Sequence, residues 1–244
     1  MNTHAPLIVG AGPTGLAAAL FLAERGHPVR IFERSRERQL WSKAFGVNAR
    51  TLSLLNDTGL TRRFLSNGRR LEHLNLHRNG QILATLRLNE VADQFPFMLV
   101  QSQADSERLL EEAVAERGLK VERGVEVVAV RRLSKKAVVD VVAGETRNTI
   151  TADCVLDASG ASSVIRKGLG ISFDGHAYDE GWRLYDVELF DVPIPRDDGN
   201  VILHDRGGMF LVRHHDDVWR VLGNLPDMLS QLPTGTRIGQ ILWE

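Results

Sequence analysis

The spacing of apolar residues changes several times along the chain, and each change predicts an element. Residues 7–9 form a short apolar run that ends at Gly10, which is typical of a buried strand. Between residues 13 and 25 the apolar residues recur at helical spacing, and Gly26 supplies a stop signal. Residues 29–32 are apolar again. The start of the chain therefore predicts a βαβ unit with parallel strands.

The rest of the chain alternates between helical and strand patterns. Apolar residues on either side of Asn79 and Gly80 predict a β-hairpin, because this dipeptide favours a tight hairpin turn. Residues 102–118 carry an amphipathic helical stripe, in which Ser102 and Asp105 resemble a capping box. The same reasoning predicts a helix at 48–57, a meander at 124–130, 137–142 and 146–151, a short strand at 153–157, and strands of an antiparallel sheet at 182–190, 201–203, 209–212 and 218–222.

Composition and charge narrow the class of protein. The 244 residues include 30 basic and 31 acidic side chains, a formal net charge of -1 and 43% hydrophobic residues, which suits a globular protein and argues against disorder. A charge this close to zero argues against a nucleic-acid partner. Cys154 is a lone cysteine, so we expect neither an internal disulfide nor a thiolate-rich zinc site. The apolar stretches are too short or too interrupted for a membrane span or signal peptide, and we expect a cytoplasmic protein.

Residues 10–15, GAGPTG, match the pattern G-x-G-x-x-G between a predicted strand and a predicted helix. This setting places backbone N–H groups and the positive end of a helix against a pyrophosphate, and the glycines permit a tight turn and close approach of the ligand. Glu33 ends the second predicted strand, where a carboxylate can accept the hydroxyls of a ribose. The sequence therefore predicts a dinucleotide site. It favours NAD or FAD over NADP, because Glu33 disfavours a 2′-phosphate.

Several segments together resemble the class A flavoprotein monooxygenases, the para-hydroxybenzoate hydroxylase-like group, along essentially the whole chain. The N-terminal VGAGPTGLAAALFLAERGHPVRIFERS is similar to the βαβ unit with which that family binds FAD. Residues 43–52, KAFGVNARTL, resemble the loop and helix that follow it. Gln101, with Glu107 and Leu110, matches a Q-x(n)-E-x-x-L pattern, and residues 153–166, DCVLDASGASSVIR, resemble the segment A-D-G-x-x-S-x-x-R.

The resemblance implies an α/β fold: a Rossmann-like FAD-binding domain of the para-hydroxybenzoate hydroxylase type with a discontinuous antiparallel-sheet substrate domain. We expect the FAD-binding domain at 1–70 and 98–175. The substrate domain is expected to contribute a hairpin at 71–97 and a sheet at 176–244.

The resemblance also implies which residues contact the cofactor. Lys43 stands where the family usually has an arginine that reaches the FAD phosphates, which keeps the charge but loses the bidentate geometry. Gln101 would contact the ribityl or ribose region. Ser159 replaces an aspartate that takes part in handling flavin and pyridine nucleotide, a variant shared by related FAD oxidoreductases. The full set of expected cofactor contacts is Gly10, Gly12, Pro13, Thr14, Gly15, Glu33, Arg34, Lys43, Ala44, Gln101, Val127, Ser159 and Gly160.

The family's chemistry implies an FAD-dependent monooxygenase for a small aromatic or polycyclic substrate. NAD(P)H, a transient co-substrate, would reduce FAD, and O2 would then form the flavin C4a-hydroperoxide that hydroxylates the ring. The sequence nominates no catalytic base. Tyr185, Arg213 and Trp219 are conceivable substrate contacts, although sheet packing or solvation is the better interpretation of each.

Two alternatives stay open at this point. One is another FAD oxidoreductase of the same superfamily, of the reductase type, which Ser159 permits. The other is a truncated, non-catalytic FAD- or dinucleotide-binding fragment, since the chain is expected to end before the G-D segment that follows the substrate sheet in the family. On that expectation FAD affinity would be reduced. The expected protein partner is a second copy in a homodimer, or a different chain that supplies the missing C-terminal part.

Other polar signals are interpreted structurally. Residues 214–217, HHDD, predict a polar turn rather than a metal site, because adjacent residues of a strand point to opposite faces. His73, Asn75 and His77 are expected on the wet face of the hairpin. Cys154 is expected to be a small buried hydrophobe.

Overall fold

The computed structural model describes residues 5–38, 44–176 and 181–244. Their contacts divide them into two units. The first unit comprises the described residues of 1–40, 57–60 and 103–175, and the second comprises those of 41–56, 61–102 and 176–244. The α-helices are α1 (Pro13–Glu24), α2 (Ala49–Leu55), α3 (Leu60–Asn67), α4 (Gln103–Glu116) and α5 (Val164–Gly168).

The strands alternate with these helices along the chain and form separate sheets. They are β1 (Leu7–Val9), β2 (Arg30–Glu33), β3 (Gly46–Val47), β4 (Arg69–Leu71), β5 (His73–Arg78), β6 (Gln81–Arg87), β7 (Met98–Val100), β8 (Val121–Arg123), β9 (Val125–Leu133), β10 (Lys136–Ala143), β11 (Thr146–Ala152), β12 (Val155–Asp157), β13 (Arg183–Phe190), β14 (Gly199–His204), β15 (Gly207–His215), β16 (Val218–Gly223) and β17 (Arg237–Trp243). Short 3₁₀ turns cover Asn56–Thr58, Leu88–Glu90 and Met228–Gln231.

The first unit is built on a parallel sheet with the strand order β12–β1–β2–β8. Strand β1, helix α1 and strand β2 form the predicted βαβ unit. Leu7 and Phe32 of the sheet pack with Val139 and Ile150 of the β9–β10–β11 meander. Helices α1 and α4 pack against each other. The α/β fold expected from the sequence is therefore confirmed, and the carboxyl ends of β1, β2 and β12 meet at one edge.

The second unit is built on a larger sheet with the order β17–β13–β16–β15–β14–β5–β6. The pairing of β14 with β5 is parallel, and the other pairings are antiparallel. The predicted hairpin is confirmed as β5 and β6. Asn79 and Gly80 lie between these strands with φ angles of 51° and 75°, a conformation that glycine and asparagine tolerate best. Strand β17 was not predicted.

The division into units differs from the predicted domain boundaries. Residues 44–56, 61–70 and 98–102 group with the second unit rather than the first. The reason is that β3 and β4 both pair with β7, and Val100 of β7 packs against Val212 of the larger sheet.

The prediction of a wet hairpin face is wrong for the side chains of strand β5. Asn75 and His77 are only 3% and 4% exposed, and His73 is half-buried. The buried polar groups of Asn75 and His77 form hydrogen bonds. Nε2 of His77 lies 2.8 Å from Oδ1 of Asn200, and Nδ2 of Asn75 donates to Oδ2 of Asp198 at 2.9 Å. Mutual hydrogen bonding makes it possible to bury these residues.

Two further expectations change in detail. Cys154 is exposed rather than buried, because strand β12 begins only at Val155. The predicted turn at 214–217 is limited to Asp216 and Asp217, since strand β15 continues through His215.

Within the described ranges, no helix is long and apolar enough to cross a membrane. The same ranges contain no cluster of three or more His, Cys, Asp or Glu side chains arranged to hold a metal ion.

Candidate functional site

The glycine-rich turn links β1 to α1 at the centre of the parallel sheet. Gly10 has a φ of 101°, and its N–H donates to the carbonyl of Phe32 at 2.8 Å. Gly12 is the N-cap of α1, and Pro13 occupies the first turn. The first N–H groups of a helix lack acceptors within the helix. Because Gly12 has no side chain, it cannot accept a hydrogen bond from them as a capping residue would. The N-terminus of α1 can therefore receive an anion.

The three glycines of the turn serve different purposes. A Cβ on Gly15 would lie 1.9 Å from the carbonyl oxygen of Gly10, and a Cβ on Gly10 would lie 2.5 Å from that of Ala158. These two glycines are required for the chain itself to pack. A Cβ on Gly12 would meet nothing within 4 Å. Gly12 therefore faces open space, which is what close approach of a ligand to the backbone needs.

Glu33 lies at the carboxyl end of β2 and is fixed by two backbone groups. Its Oε2 accepts a hydrogen bond from the N–H of Ala11 at 2.9 Å, and its Oε1 accepts one from the N–H of Ser35 at 2.9 Å. An ionised carboxylate has about four acceptor positions, so each oxygen keeps capacity for a further donor. The carboxylate is thus oriented beside the glycine turn and can accept hydroxyl groups.

The end of β12 forms the third side of the site. The hydroxyls of Ser159 and Ser163 both donate to the carboxylate of Asp157, and Ser163 caps α5 by accepting from the N–H of Arg166 at 2.9 Å. Burial raises the pKa of Asp157, but the hydrogen bonds from the two serines and the charge of Arg166 outweigh it and lower the pKa below its usual value. Asp157 therefore stays ionised and holds this segment in place.

These elements surround a cleft of about 420 Å³. Of the expected cofactor contacts, its lining contains Gly10, Gly12, Pro13, Thr14, Glu33, Arg34, Val127, Ser159 and Gly160. Gly15 is buried beneath the turn. A larger groove of about 830 Å³ lies beside the cleft and shares Thr14 and Gly160 with it. We place the site in the smaller cleft because Gly12 and Glu33 line that one.

Sequence reasoning missed Gln103, which also lines the cleft. Its Nε2 donates to Oε1 of Glu107, one helical turn further along α4, at 2.8 Å. Burial raises the pKa of Glu107, and the negative charge of Glu33 raises it further. The hydrogen bond from Gln103 lowers the pKa, but the net shift is upward. The spacing of four residues between Gln103 and Glu107 was the available signal, because residues at this spacing meet on one helix face.

A family profile described as "FAD binding domain" matches residues 3–222. The chain belongs to this family. The expectation that FAD is the cofactor is therefore confirmed. The relatives described next confirm the resemblance to class A flavoprotein monooxygenases.

Two similar proteins are monooxygenases by name. The chain is 29% identical over 219 residues to 6-methylpretetramide 4-monooxygenase of Streptomyces rimosus, covering 88% of this chain and 39% of that protein. It is 29% identical over 191 residues to pentachlorophenol 4-monooxygenase of Sphingobium chlorophenolicum, covering 77% of this chain and 36% of that protein. The chain thus spans less than two fifths of the length of these curated relatives.

Solved structures show the same fold. An anhydrotetracycline hydroxylase from Streptomyces rimosus superposes with a TM-score of 0.77 at 26% identity, over 100% of this chain and 51% of that one. A p-nitrophenol 4-monooxygenase from Pseudomonas putida superposes with a TM-score of 0.83 at 19% identity, over 98% of this chain and 67% of that one. The second likeness concerns the fold alone.

The cleft suits the adenosine and pyrophosphate part of FAD. Open space above Gly12 leaves room for a pyrophosphate at the N-terminus of α1, and the fixed carboxylate of Glu33 provides acceptors for a ribose. Apolar side chains of Val9, Phe32 and Val127 complete the lining. The donor and acceptor groups on this chain therefore fit the cofactor of its family.

The remaining expected contacts lie in the second unit or outside the described residues. Gln101 is 4% exposed, and its N–H donates to the carbonyl of Phe45 at 2.8 Å. The carbonyl of Ala44 accepts a hydrogen bond from Arg220. Lys43 falls outside the described residues. FAD contact by Ala44, Gln101 and Lys43 remains a prediction.

Proposed function

We propose that the protein is an FAD-dependent monooxygenase that hydroxylates a small aromatic or polycyclic compound with NAD(P)H and O2. The observation that carries the proposal is the cleft in which an open glycine turn, the N-terminus of α1 and the fixed carboxylate of Glu33 converge. The names of the relatives support this reaction class, because they are monooxygenases of phenols and polycyclic ring systems.

Each group of the cleft has a role in holding the cofactor. The first amides of α1 would hold the pyrophosphate of FAD, and Glu33 would accept its ribose hydroxyls. Nε2 of Gln103 donates to Glu107, and this hydrogen bond fixes the Gln103 side chain where it lines the cleft. When bound, FAD supplies electron transfer from NAD(P)H and the activation of O2.

The substitution Gly12→Val tests the cofactor part of the proposal. A Cβ at this position meets no protein atom within 4 Å, and the backbone φ of −73° is an ordinary one, so the fold should tolerate a small side chain there. The same side chain would occupy the space that we assign to the pyrophosphate. We expect Gly12→Val to keep the thermal stability of the wild type without FAD and to raise the FAD Kd at least about a hundredfold.

The matched control is Gly26→Val, at a second glycine whose Cβ would meet nothing. It has a positive φ of 75°, so it should lose stability by strain while FAD binding to the folded fraction is unchanged. Unaltered FAD affinity in Gly12→Val would refute the site.

Substrate-stimulated NAD(P)H oxidation tests the reaction class. With FAD bound, chlorinated and nitrated phenols and tetracycline-like polycycles should increase NAD(P)H oxidation, with a hydroxylated product and matching O2 uptake. NAD(P)H oxidation that needs an electron acceptor other than O2 would favour the reductase-type alternative, which the replacement of the family's aspartate by Ser159 permits. A cytoplasmic location and a homodimer stay predictions from the sequence.

A further inference from the structure

Arg220 is a buried arginine at the centre of the second unit's sheet. The residue is 1% exposed and lies directly opposite Asp186 in the pairing of β13 with β16. Its Nε donates to Oδ1 of Asp186 at 2.8 Å, and its Nη2 donates to Oδ2 at 2.7 Å. The neighbouring Trp219 and Val221 belong to the apolar core on the other face. Arg220 and Asp186 therefore form a bidentate ion pair on the face turned away from that core.

The third arm of the guanidinium reaches a different part of the chain. Nη1 of Arg220 donates to the backbone carbonyl of Ala44 at 3.0 Å. The next carbonyl, that of Phe45, accepts from the N–H of Gln101 at 2.8 Å. Gly46 and Val47 then pair with β7. Residues 45–47 are thus bonded to β7 and to Gln101, which follows it, and Ala44 is bonded to Arg220.

Stability alone gives no reason for this arrangement. A buried ion pair pays a desolvation penalty that can exceed its Coulombic gain, and apolar replacement of both partners is often neutral or stabilising. What the ion pair does provide is a fixed orientation of the guanidinium, which directs Nη1 of Arg220 at the carbonyl of Ala44.

We propose that Arg220 is a positioning residue for the cofactor, which holds segment 44–47, whose residue Ala44 is predicted to contact FAD, in its binding conformation through the carbonyl of Ala44. Asp186 fixes the guanidinium so that Nη1 keeps this direction. The link to the cofactor rests on the proposed function. The link between Arg220 and the segment rests on the hydrogen bonds alone.

The double substitution Arg220→Met with Asp186→Leu separates positioning from stability. It removes both charges together, so no buried charge is left unpaired and the thermal stability should stay near that of the wild type or rise. It also removes the donor to Ala44. We expect amide hydrogen exchange at Gln101, measured without FAD, to accelerate about tenfold, since a hydrogen bond to a charged group is worth at least that factor.

Two further variants complete the series. Arg220→Lys keeps the charge beside Asp186 but cannot reach Asp186 and Ala44 together, so it should exchange like the double variant. It also serves as the test if the double variant does not fold. Val187→Ala truncates a core residue, 0% exposed, that follows Asp186 on the same strand. It should lower the free energy of unfolding. The exchange rate of the Gln101 amide should not rise beyond what this loss of global stability explains.

Titration with FAD then tests the link to the cofactor. The FAD Kd should rise about tenfold in the double variant and in Arg220→Lys, and should not change for folded Val187→Ala. Unchanged exchange at Gln101 would overturn the positioning role, whatever happens to FAD. Faster exchange with an unchanged FAD Kd would overturn the link to the cofactor. A wild type that binds no FAD would instead refute the proposed function and leave the exchange result standing.

Discussion

Glu33 shows how a single side chain prepares a binding site. Its two oxygens each accept a backbone N–H, from Ala11 and Ser35, so the carboxylate is oriented without any ligand. Groups fixed in advance lose little entropy when they bind. The same negative charge would repel a phosphate on the adenosine ribose, so in the proposed site Glu33 would select for unphosphorylated ribose.

We therefore expect Glu33→Gln to raise the FAD Kd about tenfold or more. The amide keeps the size of the side chain, but its NH2 group must face one of the two backbone donors and can no longer accept there. Fluorescence titration with FAD measures the effect. Glu37→Gln, at an exposed position nearby, is the control and should leave the Kd within a factor of two or so. Equal Kd values for wild type and Glu33→Gln would contradict the assignment of Glu33 to the ribose.

His214 makes stability depend on pH. Burial first, and then the positive charge of Arg220, lower its pKa from 6.5 to about 4 in the folded protein. Arg69 and His215 act in the same direction, and Asp186 opposes them. Between pH 6.5 and 4 the unfolded chain therefore binds a proton that the folded protein does not. The contribution of His214 to the free energy of unfolding falls through this range and becomes constant below about pH 4.

Replacing His214 by glutamine should remove this part of the pH dependence. Since one pKa unit corresponds to about 1.4 kcal/mol, the effect can approach 3 kcal/mol between neutral pH and pH 4. Urea unfolding at a series of pH values measures it. His215→Gln is a close control, because the neighbouring side chain is 71% exposed. A wild type and a His214→Gln variant with parallel pH profiles would show that His214 is not neutral in the folded protein.

At the level of elements, a polar network holds the hairpin to the sheet. Asn200 of β14 is fully buried and makes three hydrogen bonds: one with Nε2 of His77 at 2.8 Å, and two to the carbonyls of Pro195 and Asp198 at 2.9 and 3.2 Å. The side chain thus joins strand β5 to the loop that precedes β14. Its loss would leave several buried polar groups unpaired.

Asn200→Ala should therefore lower the free energy of unfolding by about 2–3 kcal/mol, since each buried group left without a partner costs about 1–3 kcal/mol. Chemical denaturation measures this loss. Asn89→Ala, at an exposed position after the same hairpin, should change stability by less than about 0.5 kcal/mol. A loss in Asn200→Ala no larger than in the control would mean that the network adds little to the fold.

The elements also show what sequence alone could and could not predict. The βαβ unit, the Asn79-Gly80 hairpin and helix α4 were predictable, because their apolar spacing and turn residues agree with their final state. The burial of Asn75 and His77 was not, because it depends on Asn200 and Asp198, which are distant in sequence. Strand β17 was missed because most of its residues are exposed and Gly239 interrupts its pattern.

For the site, the sequence predicted the groups that belong to a local motif and missed those that depend on packing. The glycine turn and Glu33 were found because their spacing encodes their role. Gln103 was passed over in favour of Gln101, since a pattern with a variable gap fits either glutamine. Only the structure shows that Gln103 lines the cleft and Gln101 lies in the second unit.

At the scale of the whole molecule, the two units have separate apolar cores. Leu7, Val139 and Ile150 belong to the core of the first, and Val187 and Trp219 to that of the second. Proteins with more than one such core often depart from two-state unfolding. A cofactor that binds only the folded cleft stabilises it by mass action, with a size set by the ratio of free FAD to Kd.

We expect FAD at a hundred times its Kd to stabilise the protein by about 2.7 kcal/mol, and the transition temperature to rise further with the logarithm of FAD concentration. Calorimetry measures both, and it also shows whether unfolding occurs in one transition or two. Gly12→Val should unfold near the wild-type temperature without FAD and show a much smaller shift with it, because a Cβ at this position meets no protein atom within 4 Å and the side chain occupies the space assigned to the pyrophosphate. An equal FAD-induced shift in wild type and Gly12→Val would mean that the cofactor binds elsewhere than at the glycine turn.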